Sequence, residues 1–89
     1  MSKTFTKDPD AVLDYSIDWE DWLDGDTIST SSWTLQSGIV KESDSKTTTV
    51  TTIWISGGTV GKVYAVTNRI VTAASRTEDR TFYLDVRER

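Results

Sequence analysis

Gly61-Lys62-Val63-Tyr64-Ala65-Val66-Thr67-Asn68-Arg69-Ile70 is the stretch whose reading decides the fold. Val63 and Ala65 fall on one face of an extended chain, and Tyr64, Val66, Asn68 and Ile70 on the other. That period of two marks a half-buried strand, continuing to Ala73. A tyrosine just after a glycine turn, at the start of the penultimate strand, is also where immunoglobulin-like sandwiches place a tyrosine whose hydroxyl bonds to an upstream backbone group.

Working outward, Ala74–Asp79 reads as a polar loop, and Phe82, Leu84 and Val86 then alternate with Thr81, Tyr83, Asp85 and Arg87, so the last two strands should form a hairpin. Upstream, Gly57-Gly58 ends a long strand from Thr47 to Ser56, in which Ile53 and Ile55 face one way and Val50 and Trp54 the other. Ser43-Asp44-Ser45-Lys46 reads as a turn, and Gly38-Ile39-Val40 as the start of a short strand. Thr27–Leu35 is a strand whose bulky members Ile28 and Trp33 are out of phase, which predicts a bulge or a two-faced strand. Leu13, Tyr15 and Ile17 share one face of an earlier strand. Between these two, Asp18 as cap, Glu20 and Asp21 in a first turn and Gly25 as terminator predict a single helical turn. Residues 1–10 are polar, contain the only proline, and read as an N-terminal arm that a partner would order; residues 11–89 read as one domain.

The expected fold is therefore all-β: an immunoglobulin-like antiparallel β-sandwich of about six to seven strands with one short helical turn. Its core should contain Leu13, Tyr15, Ile17, Val66, Phe82, Leu84 and Val86, with Tyr64 hydrogen-bonded at the edge. Composition agrees, since Ile, Val and Thr supply about a third of the 89 residues and favour strands.

The chain has no cysteine and no histidine, which removes disulfides, thiolate metal sites, the usual general base and the partner of a serine nucleophile. Gly57-Gly58 lacks the lysine and helix of a phosphate-binding loop. No enzymatic activity, catalytic residue or cofactor is expected. Asp21, Asp24 and Asp26 surround Gly25 but miss the EF-hand spacing, and capping and turn formation account for them. A net charge of −4 argues against nucleic acid, and no apolar run is long enough for a membrane span or a signal peptide, so synthesis in a cytoplasm is expected. The charge is uneven: residues 1–40 hold two basic against eight acidic residues, and residues 41–89 eight against six.

The four tryptophans divide in two. At least one of Trp33 and Trp54, within strands, should fill the core. Trp19 and Trp22 lie three apart on the helical turn with Leu23, forming a face that either plugs the open end of the core or meets another protein. The interface expectation names Trp19, Trp22 and Leu23, ringed by Asp18 and Asp21, with Arg76, Arg80, Arg87 and Arg89 of a neighbouring copy as the basic complement.

Lys7-Asp8-Pro9-Asp10-Ala11-Val12-Leu13-Asp14-Tyr15-Ser16-Ile17-Asp18-Trp19, then Trp22-Leu23, Gly25-Asp26-Thr27-Ile28 and Trp33, resembles the opening of short bacteriophage structural proteins known as fibre–tail adaptors. Gly57-Gly58-Thr59, Tyr64, Val66-Thr67-Asn68 and Thr77-Glu78-Asp79-Arg80 through Val86-Arg87 is similar to the same family. The resemblance covers nearly the whole chain, and Asp-Trp-x-x-Trp-Leu is its most specific part. It implies an immunoglobulin-like virion component, present in several copies, that joins the tail or head–tail connector to a fibre or neighbouring tail protein. Its partners would be other phage virion proteins and other copies of itself. Capsid decoration or connector completion is the alternative within a virion. A carbohydrate-binding module using Trp19 and Trp22 is the alternative outside that class.

Overall fold

The alternation that starts at Val63 runs the full length of β6 (Val63–Thr72), burying Tyr64, Val66, Asn68, Ile70 and Thr72. A computed structural model describes residues 3–88 of the chain. A turn at Ala73–Arg76, with Ser75 at φ 66°, folds β7 (Thr77–Val86) back antiparallel, with Val66 opposite Phe82 and Tyr64 opposite Leu84. Phe82, Leu84 and Val86 point inward as expected. β7 begins inside the predicted loop, because Asn68, Arg69 and Ile70 supply partners for Arg80, Asp79 and Glu78.

β3 (Ile28–Leu35) pairs with the other edge of β6, and its register shifts between Ile28 and Thr30, which decides the phase change in favour of a bulge over a two-faced strand. β1 (Thr4–Lys7) completes this sheet in the order β1-β7-β6-β3. The second sheet has the order β2-β5-β4, with β2 (Leu13–Asp18), β5 (Val50–Gly57) and β4 (Ile39–Lys46) all antiparallel. This is the immunoglobulin-like arrangement, with the first strand on the edge of the sheet that holds the last two. All its ladders are antiparallel except β1–β7, which is parallel.

The main core lies between the sheets: Tyr15, Ile39, Ile53, Ile55, Tyr64, Val66, Phe82, Leu84 and Val86 are buried together. Its middle is aromatic, with Phe5 and Tyr15 each about one ring width from Phe82, at 5.5 Å between centroids. A second cluster consists of Trp19, Leu23, Ile28 and Ile70, and Ile17 packs against both clusters.

Three expectations need correction. Residues 4–7 are not a free arm but a strand, because Phe5 and Lys7 alternate inward and the carbonyls of Lys3 and Lys7 accept N–H bonds from Tyr83 and Arg87. The sandwich therefore begins before the boundary expected at residues 10 and 11; residues 1 and 2 lie outside the described residues. Leu13 remains 37% exposed, since it sits at the very start of β2 beyond the reach of the other sheet. Ser43–Lys46 is strand rather than turn. β4 is an edge strand with Ile39 as its buried residue, so its polar sequence does not forbid pairing, and the turn is made instead by Thr47, whose hydroxyl accepts the N–H groups of Thr49 and Val50.

Candidate interaction surfaces

The helical turn α1 (Glu20–Leu23) forms where predicted, between β2 and β3. Asp18 Oδ1 accepts the N–H of Glu20 at 3.0 Å, while Trp19 occupies the N-cap position without a side-chain bond of its own. Asp24, not Gly25, takes the left-handed conformation that ends the turn, with φ 48°, and Gly25 follows at φ 91°.

Trp19 leaves the turn pointing into the protein and is 0% exposed. Its indole Nε1–H reaches Thr51 Oγ1 at 3.2 Å and Asn68 Oδ1 at 3.1 Å, and the Thr51 hydroxyl donates to the same Asn68 oxygen at 2.8 Å. The Asn68 amide then donates to Ser31 Oγ and the Ser32 carbonyl. This buried chain of hydrogen bonds joins β5 to β6 and β3, so it ties the two sheets together through α1. Trp19 and Leu23 are thus core residues that offer no surface to a neighbour. The interface expectation is corrected for both: a ring with a polar N–H had a satisfied place inside, provided by residues remote in sequence.

Trp22 is half-buried and meets Trp19 edge-on, with 5.6 Å between centroids. The arginines expected to come from another copy arrive from the same chain. Arg76 lies over the Trp22 ring and Arg80 over the Trp19 ring, each at 4.4 Å. Arg76 also donates to the Leu23 carbonyl at 2.7 Å and pairs with Asp26 at 3.2 Å, and Arg80 donates to the Asp18 carbonyl. Hydrogen bonds hold the Asp26 carboxyl below its ordinary pKa, first from the Thr72 hydroxyl, then from the Thr27 N–H, Arg76 and the Ala74 N–H. The cations at the α1 end are therefore the chain's own, and they cover one side of Trp22.

The remaining members of the expected site do not converge there. Arg87, just past the far end of β7, pairs with Asp85, about 35 Å along the strand from Arg76. Arg89 lies outside the described residues. Asp21 is exposed beside Trp22. No group of three or more potential metal ligands occurs among the described residues, Asp21, Asp24 and Asp26 included. A groove of about 290 Å³ runs between the sheet edges, lined by Phe5, Ile17 and Phe82 with Lys3, Asp18 and Arg80 at its rim.

Two features were missed in the sequence. Lys7 is fully enclosed at the end of β1, donating to the Gly57 and Asp8 carbonyls at 2.7 and 2.9 Å. Burial lowers its pKa, while the charges of Asp8 and Asp10 work against that shift. The other is Trp54, 42% exposed on the outer face of β5. The opposition of Trp54 to Ile53 and Ile55 was the available signal, since the inward face was already assigned to the isoleucines. Trp33, by contrast, packs against the core and meets Phe82 edge-on.

The fold and these surfaces define a small immunoglobulin-like module whose distinguishing features are exposed faces and edges. A model of the podophage GP4 fiber-tail adaptor protein gp77 family matches residues 7–85, and the chain belongs to that family. No curated protein matches it.

Proposed function

We propose that the chain is a non-enzymatic structural adaptor of a bacteriophage virion, joining the tail or head–tail connector to a fibre or neighbouring tail protein. The observation that carries this reading is the family match across residues 7–85. Supporting it, the sequence lacks both histidine and cysteine, and its conspicuous aromatic and charged side chains either build the fold or lie on open faces. The adaptor binds proteins rather than nucleic acid or membrane, in keeping with its net charge of −4, and is present in several copies in the particle. It is made in the host cytoplasm before incorporation. Of the expected contact residues, Asp18, Asp21, Arg76, the open side of Trp22 and Arg87 remain accessible to neighbours.

Deleting the gene from the phage and imaging the particles tests this reading. Particles that assemble heads and connectors but lack attached fibres are expected, with normal fibres restored by the chain supplied in trans. Fully fibred mutant particles would refute the adaptor role. Quantifying the protein per wild-type particle separates it from a decoration role, for which the copy number would follow the capsid lattice.

A further inference from the structure

The outer face of the β2-β5-β4 sheet presents one aromatic ring in a polar, acidic setting. Trp54 stands at its centre, with Asp14 directly opposite on β2 and Ser43 on β4. The adjoining row is Ser16, Thr52 and Ser45, with Ser16 and Thr52 joined through their hydroxyls. Glu42, at the register shift of β4, is held on this face by the Ser56 hydroxyl. Lys41 and Lys46 pair in register with the buried Ile55 and Thr51, so they belong to the opposite side of β4. Around Trp54 the outer face therefore carries Asp14 and Glu42, and no lysine or arginine of β2, β5 or β4 shares it.

The chain shows what its own indole faces accept. Trp19 and Trp22 are each covered by an arginine at 4.4 Å, whereas the described arginines are engaged elsewhere and none reaches Trp54. We propose that this face docks an arginine-bearing segment of a neighbouring protein, with a guanidinium stacked on Trp54 and further basic groups matched to Asp14 and Glu42. The choice of a protein partner rests on the adaptor reading. The choice of a basic one rests on charge: an uncharged sugar could stack on Trp54 but would leave the flanking carboxylates unmatched.

The test titrates the isotope-labelled full chain with an Arg-Thr alternating hexapeptide, its Lys-Thr counterpart and a neutral oligosaccharide, following backbone and indole N–H signals. The arginine peptide should shift the Trp54 indole signal, identified with Trp54→Phe, and the amides of its outer-face neighbours. The lysine peptide should bind more weakly, the sugar should leave the face unchanged, and added salt should weaken binding. Trp54→Ala and Asp14→Asn should each weaken peptide binding about ten-fold while keeping the wild-type melting temperature. Absence of shifts with the arginine peptide, equal binding by Trp54→Ala, or a response to sugar alone would overturn the proposal. Particles grown without the protein separate the two readings. If Trp54→Ala attaches to them as well as wild type, the docking proposal fails and the adaptor reading stands; if wild type itself does not attach, the adaptor reading fails, and the peptide titration still decides what the face binds.

Discussion

Lys7 fills an inward position of β1 that hydrophobic patterning would give to an apolar side chain, and its ammonium is bonded to backbone carbonyls rather than paired with a carboxylate. Burial makes the charged form less favourable in the folded chain than in the unfolded one, so the folded pKa lies below the ordinary 10.5. The folded state then binds fewer protons between those two values, and stability rises with pH across that window and falls as pH drops through the folded pKa. Wild type should gain on Lys7→Met as the pH is raised toward 10.5 in urea unfolding. A gap between the two proteins that stays flat with pH would show that the ammonium is not desolvated. Trp19 makes a parallel case with a neutral group. Trp19→Phe removes the donor to Thr51 and Asn68 and leaves a void, so it should cost about 2–4 kcal/mol. Trp22→Phe, which removes part of a half-buried ring, should cost less than about 1.5 kcal/mol. Equal losses in the two variants would mean that the buried network adds nothing.

Among the elements, α1 is too short to be stable alone and is held by the β6–β7 turn. Asp26 is the centre of that attachment, accepting the N–H groups of Thr27 and Ala74 and pairing with Arg76. Because its folded pKa is lowered from 3.8, the stability it contributes is complete above that value and is lost as the pH falls through the folded one. Asp26→Asn should therefore be less stable than wild type at neutral pH and lose less on acidification; parallel acid titrations of the two proteins would remove Asp26 from this role. At the opposite end, the Tyr64 hydroxyl accepts the Thr59 N–H at 2.9 Å, bracing the turn between β5 and β6. The same ring leaves no room at Gly38, where a Cβ would lie 2.7 Å from it. Tyr64→Phe should lower the melting temperature by about 4–8 °C, the scale of one hydrogen bond in a domain of this size. An unchanged melt would remove the corner from the list of stabilising features.

For the whole molecule, the sheet orders set a gradient of stability. β6 and β7 pair with each other along nearly their whole length and bury alternate side chains, while β4 is an edge strand with Ile39 as its buried residue. Hydrogen exchange should find the slowest amides in β6 and β7, and fast exchange at the open edge of β4. Protection of β4 equal to that of β6 in the isolated chain would point to self-association along that edge. The Trp54 face is on the same three-stranded sheet, so the pattern of protection also reports whether that sheet is covered.

The periodicity of Val63–Ile70 and Thr81–Val86, the out-of-phase pair Ile28 and Trp33, and the aspartate-rich turn before Gly25 were enough to determine the class of fold, an irregularity in β3 that its register resolves as a bulge, and the place of α1. These are local properties, because alternation states which side chains share a face. It does not state which faces are covered, or whether a polar atom finds a partner inside. Those were decided by residues brought together from far along the chain: Thr51 and Asn68, 32 and 49 positions from Trp19, made its burial possible, and Gly57, 50 positions from Lys7, did the same for an ammonium. Trp54 shows the converse. Its side of β5 was readable from Ile53 and Ile55, but its exposure followed only from the sheet of four strands packing against the other face.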